Sequence, residues 1–157
     1  MPVRKVYLDT SVIGGYYDDE FAEETRRLWQ KWKEGGILFH TSVLTFEEVA
    51  EAPARVKSLL RQTFPGQRNV LMPTQEALFL AQAYLDAAVV PVRYASDARH
   101  VADCSVAGIT YLASWNFKHL VNVSRENAFN AVNLLHDYPP VRILSPKELI
   151  YGDDEEV

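Results

Sequence analysis

Three carboxylates and one amide fall where a hard cation could be held. Asp9 follows the apolar run Val6 to Leu8. Glu48 lies just inside the segment after "ILFH". Asp97 opens "DARHVADC", and Asn116 follows "TYLASW". A carboxylate at the end of a buried strand is costly unless it caps a helix, meets a cation or binds a metal. Taken singly, Asp9 and Asp97 also suit helix N-caps, and Glu48 suits a surface helix acid. Taken together, ionised acids that share one edge repel each other unless a cation lies among them. Oxygen donors without His or Cys suit Mg²⁺ or Mn²⁺. Such a metal suits phosphodiester hydrolysis, because it activates a water and offsets charge developing on the phosphate. Glu47 is turned by ~100° from Glu48 on a helix, so only one of the two points inward. Glu48 is preferred, since Val49 follows and Phe46 can pack, but periodicity leaves both open.

The elements that must position these groups alternate along the chain. Strands are expected at 3–8, 37–42, "NVLM", "TYLAS" and "VRIL". Helices are expected over "FAEETRRLWQKWK", with a Gly35-Gly36 stop, and over "SVLTFEEVAEA", with Ser42 or Thr45 as N-cap and Pro53 as interruption. Further helices follow in "ARVKSLLRQTF" and in "TQEALFLAQAYLDAAV", the latter capped by Thr74 with Leu78, Ala81 and Leu85 inward. "SDARHVADCSVAG" is expected to be helical, capped by Ser96 or Asp97. So are the later part of "HLVNVSRENAFNAVNLLHDY" and "SPKELI", with Ser145 as cap and Pro146 at the first position. Alternating strands and helices predict an α/β fold of three layers, α/β/α, around a central, mainly parallel sheet of about five strands. In such sheets ligands bind at the carboxyl ends of the strands, and that edge is where the four residues fall.

The 157 residues suffice for one domain, taken as 1–150, with 151–157 as an acidic, disordered tail. The apolar fraction of 48% and charged fraction of 24% are those of a globular protein. No apolar run reaches the ~20 residues that span a bilayer. A strand beginning almost at once leaves no room for a secretory signal, and the single Cys104 forms no intrachain disulfide. Both features lead to an expected cytoplasmic setting. Cys104 reads as a small buried hydrophobe. The net charge of −5 argues against a broad basic surface, although four acids sit in 153–156 and the rest is about −1. A local basic rim remains open, with Arg26, Arg55, Arg93 and Lys118 among its candidates.

The ordered set of segments resembles the PIN domain, the nuclease fold of bacterial VapC-like toxins, over roughly residues 5 to 147. "VYLDTSVIGGYY" resembles the family's opening, "TSVLTFEEVAEA" its second motif, and "SDARHVADCSVAGITYLASWNFKHLVN" its third and fourth together. The resemblance implies a metal-dependent endoribonuclease with Asp9, Glu48 and Asp97 as catalytic metal ligands and Mg²⁺ or Mn²⁺ as cofactor. Asn116 would take the fourth acidic place, where the familiar pattern has Asp; a neutral amide adds no charge there for a second metal. Ser11 stands where many members carry Asn, and its hydroxyl would orient Asp9 or the attacking water. The resemblance further implies an RNA substrate, a small antitoxin that blocks the site, and a homodimer.

Around this set, Thr10 is a candidate hydrogen-bond partner of Asp9, and His100 and Lys118 are candidate phosphate contacts. His119 is another such contact, or else part of a polar loop. Asp103 lies ~240° from Asp97 around a helix and is not expected as a ligand. His40 and His136 read as structural or exposed, and Tyr16, Tyr17 and Phe21 as core or interface. Two rivals stand beside the nuclease. One is a catalytically weakened module of the same fold that binds RNA or a partner protein, favoured by Asn116 and Ser11. The other is an aspartyl phosphotransferase with Asp9 as nucleophile, disfavoured because Ser11 stands where that class carries a second Asp.

Overall fold

The computed structural model describes residues 3–152. Its centre is a five-stranded, entirely parallel sheet in the order β3-β2-β1-β4-β5. The strands are β1 (Arg4–Leu8), β2 (Ile37–Ser42), β3 (Val70–Leu71), β4 (Tyr111–Ala113) and β5 (Arg142–Leu144). Strand β1 lies in the middle, and Val6, Tyr7 and Leu8 are fully buried. Alternation along β1 sends Tyr7 into one core, with Leu112 and Ile143, and Val6 and Leu8 into the other, with Phe39 and Ala113. Helices α5 (Gln75–Asp86), α6 (Ala95–Val106) and α7 (Val123–Leu135) close the first core. Helices α1 (Thr10–Gly15), α2 (Ala22–Lys33), α4 (Ala54–Thr63) and α8 (Pro146–Gly152) close the second. The short α3 (Val43–Glu48) follows β2 directly. The expected α/β/α layering is thus the observed one, with every strand parallel.

Several local expectations shift. Residues 10–15 form a short helix that "TSVIGG", with two glycines, did not announce. Helix α5 buries Ala77, Leu80, Ala81 and Tyr84, while Leu78 is half exposed; the inner stripe is one residue out of phase with the expected one. Ser42 precedes α3 but does not cap it, since its hydroxyl bonds Tyr7 instead. Gly35 and Gly108 follow α2 and α6 with φ of +87° and +73°, the left-handed conformation that ends a helix. Tyr151 and Gly152, placed in the expected tail, are the last residues of α8, and the Tyr151 hydroxyl accepts from Arg27. The remainder of that tail, 153–157, lies outside the described residues. Among the described residues no helix is long and apolar enough to cross a membrane.

Candidate active site

Parallel strands bring the ends of β1, β2 and β4 to one edge, and the sheet grows from β1 to β2 and β3 on one side and then, from β3, to β4 and β5 on the other. That is the switch point at which a doubly wound sheet opens a crevice. Asp9 is the first residue past β1. Its backbone N–H donates to the Ala113 carbonyl, holding the ends of β1 and β4 together. Its carboxylate caps α1 by accepting from the Val12 N–H at 3.3 Å, and it accepts the Ser11 hydroxyl at 2.6 Å. Capping and burial therefore coexist, with Asp9 only 4% exposed. Burial raises its pKa; the His100 field and the bonds from Ser11, Ser114 and Val12 counter that rise.

Past β4, Ser114 and Asn116 face the same crevice. The Ser11 oxygen accepts the Trp115 N–H at 2.9 Å, and Ser114 Oγ accepts the Asn116 N–H at 2.9 Å. The Asn116 carbonyl oxygen accepts the His119 N–H at 3.0 Å, which leaves its amide to donate to Asp97 Oδ2 at 3.2 Å. The two halves of the amide are thus assigned by their surroundings. Asp97 is not a cap: the turn Val92–Tyr94 runs directly into α6, so Asp97 falls inside the first turn. Its carboxyl is pushed up to about 6, first by burial, then by the charges of Asp9 and Glu48, against the pull of His100 and Asn116.

Glu48 ends α3 and reaches the edge from the β2 side. Its Oε1 accepts the Thr10 hydroxyl at 2.8 Å and lies 2.6 Å from His100 Nε2. Burial opposes its ionisation, but His100, Thr10 and Ser96 outweigh burial and hold its pKa below the usual range. Glu47 is exposed on the neighbouring direction. His100 is 2% exposed and has both ring nitrogens engaged, Nε2 with Glu48 and Nδ1 with the Tyr7 hydroxyl at 2.6 Å. It lies under the crevice, not on its surface. Tyr7 continues to Ser42 at 2.7 Å. A polar line thus runs from Glu48 at the edge through the buried His100 and Tyr7 to Ser42.

Tyr7 and Ser114, which the sequence did not single out, belong to this arrangement, as does Ser42, expected there only as a helix cap. A signal existed for Tyr7: a phenol in a fully buried central strand needs a partner for its hydroxyl. Lys118 is exposed in the turn after β4. His119 is buried against the Tyr94 ring at 4.1 Å, with neither ring nitrogen hydrogen-bonded, and burial together with Arg125, Lys118 and Arg93 lowers its pKa.

The donors fit a hard divalent cation in kind: Asp9, Asp97 and Glu48 are all oxygen ligands, burial raises the pKa of Asp9, and burial with the charges of Asp9 and Glu48 raises that of Asp97. They are not drawn into a ready-made coordination shell, for among the described residues no group of three His, Cys, Asp or Glu is close enough to hold a metal. Each acid is instead engaged by its own hydrogen bonds, Asp9 with Ser11, Glu48 with Thr10 and His100, and Asp97 with Asn116.

No family model and no curated protein matches the chain. A solved structure does. The chain is similar to FitAcB from Neisseria gonorrhoeae, with a TM-score of 0.56 at 17% identity, over 90% of this chain and 97% of that one. The likeness and the layered parallel sheet define a PIN-like α/β/α fold.

Proposed function

We propose that the chain is a metal-dependent endoribonuclease and the toxin of a type II toxin–antitoxin pair. The observation that carries the reading is the convergence of Asp9, Glu48 and Asp97, from three separate elements, on the carboxyl edge of the sheet, with Asp97 pushed to about 6 by burial and by its acidic neighbours. An enzyme gains nothing in stability from such repulsion, and a bound cation would relieve it. Asp9, Glu48 and Asp97 would hold Mg²⁺ or Mn²⁺, which supplies Lewis-acid activation of water and neutralises phosphate charge when bound. The protein's own contribution is orientation. Ser11 and Val12 fix Asp9, Thr10 and His100 fix Glu48, and the Asn116 amide turns toward Asp97. Lys118, exposed beside Asn116, offers a cation to the RNA backbone. The fold shared with FitAcB supports the scaffold part of the reading. A small antitoxin that inserts a cationic side chain among the three acids would inhibit by charge complementarity, and a homodimer accords with the same class.

A second reading, a PIN-fold module that binds RNA or protein without cutting, is favoured by the 2.6 Å Glu48–His100 pair and by the full use of the Asn116 amide. One experiment separates the two. Purified protein, freed of co-purifying partner, is given mixed-sequence RNA with Mn²⁺ or Mg²⁺, with EDTA, and as Asp9→Asn. Cleavage that needs metal and disappears in the variant supports the nuclease. No cleavage by folded protein in either metal favours the binding module.

A further inference from the structure

Beyond Thr10 and Glu48 the crevice continues into a second hollow of about 310 Å³, between α1 and the start of α4. That volume is at the lower end of the ~300–1,000 Å³ typical of ligand sites. Val49, Ala52 and Val56 give it an apolar wall, and Tyr17 and Arg55 supply a ring and a guanidinium. Arg55 lies over the Tyr17 ring at 4.9 Å, and Arg26 lies 5.9 Å from the same ring while its Nε donates to the Tyr16 carbonyl. Stacking on tyrosine holds a guanidinium in place, so less side-chain freedom is lost when it grips an anion. Among the described residues neither Arg55 nor Arg26 forms an ion pair with a carboxylate. Asp18 also lines the hollow, and one oxygen of its carboxylate accepts the Glu20 N–H at 2.8 Å. The hollow thus sets one guanidinium, Arg55, beside the carboxylates of Asp18 and Glu48, and Arg55 forms an ion pair with neither.

We infer that this hollow is the seat of one nucleotide of single-stranded RNA next to the bond that is cut. The base rests against the apolar wall of Val49, Ala52 and Val56, and Arg55, held over the Tyr17 ring, grips the phosphate. The inference rests on the nuclease reading and names the part of the substrate which that reading leaves open. A planar base with a phosphate needs an apolar or aromatic surface and a forked cation side by side. A pocket that takes a separate base requires an unstacked strand, because duplex bases are not free to turn outward. Tyr17 therefore positions Arg55 as well as belonging to the packed aromatic group with Tyr16.

The test uses the full chain and a fluorescent mixed-sequence single-stranded RNA, with binding followed by anisotropy in EDTA so that the strand stays intact. Arg55→Ala, at an exposed position, is expected to weaken binding about tenfold or more, with Arg55→Lys recovering only part of the loss. Arg142→Ala, on the outer strand β5, should change nothing. Wild-type affinity in Arg55→Ala overturns the inference, as does an equal loss on duplex RNA of the same sequence, or no RNA binding by the parent. Cleavage with Mn²⁺ is scored separately. Cleavage with unaltered binding in Arg55→Ala discards the nucleotide seat alone. Binding that depends on Arg55 without any cleavage discards the nuclease alone.

Discussion

Asp97 shows how one side chain can be set against the stability of its own fold. Its pKa is raised, so the folded protein holds a proton that the unfolded chain, titrating near the ordinary value of 3.8, has released. The corresponding stability is fully present below the unfolded value and is lost as pH rises through about 6. Asp97→Asn removes the repulsion with Asp9 and Glu48 and keeps an acceptor for the Asn116 amide. In EDTA at pH 8 the variant is expected to be more stable by about 1–2 kcal/mol, after allowance for solvent screening. The decline of parent stability between pH 4 and 6 should flatten in the variant. Urea unfolding from pH 4 to pH 8 checks both statements; a variant less stable than the parent at pH 8 would show that Asp97 is held by attraction, not strained by repulsion.

Among the elements, α1 is the one whose placement the crevice depends on, since Asp9, Thr10 and Ser11 sit on its first turn. Its last residue, Gly15, explains how close that helix can come. A Cβ there would lie 2.8 Å from Cδ1 and Nε1 of Trp115 and 3.1 Å from the Thr25 hydroxyl. Trp115 itself is fixed by Nε1 donating to Thr25 at 2.9 Å and by stacking on Phe21 at 4.2 Å. Glycine to alanine inside a helix ordinarily stabilises by up to ~1 kcal/mol. Here overpacking should dominate, and Gly15→Ala is expected to cost about 1–3 kcal/mol. The sign of the change in denaturation midpoint decides it, because a gain would mean that Trp115 yields.

For the molecule as a whole, the proposed cation links the site to global stability. Ions that bind only the folded state stabilise it by mass action, so Mn²⁺ at 100 times its Kd adds ~2.7 kcal/mol. In a chain of this size that corresponds to a rise of roughly 5–10 °C in Tm. The shift should vanish in Asp9→Asn. Mn²⁺ without effect on the parent would place the three acids outside metal binding, whatever the RNA assay shows.

Much of the architecture was legible in local order. Apolar runs such as "VYL" and "ILFH" alternating with helical spacings imply parallel strands with crossovers, because short connections allow no other arrangement. The same order put Asp9, Glu48, Asp97 and Asn116 near strand ends. Local order could not reveal α1, whose glycines speak against a helix until Val12 and Ile13 bury against β1 and α2. It offered Asp97 as a cap, because nothing local shows that the turn at Val92–Tyr94 starts α6 two residues earlier. It left Glu47 and Glu48 open, and only the Thr10 and His100 bonds across the edge bring Glu48 inward. His100 reads as a phosphate contact until the fold sets its partner Tyr7, 93 residues away, beneath it. Tyr17 reads as core until Arg55 is seen above its ring. What the sequence by itself determined is therefore the set of elements and the edge they share, since these follow from residue periodicity. Tertiary structure alone decided which side chains meet there and which are already satisfied, because hydrogen bonds, burial and charge act between residues that are distant along the chain.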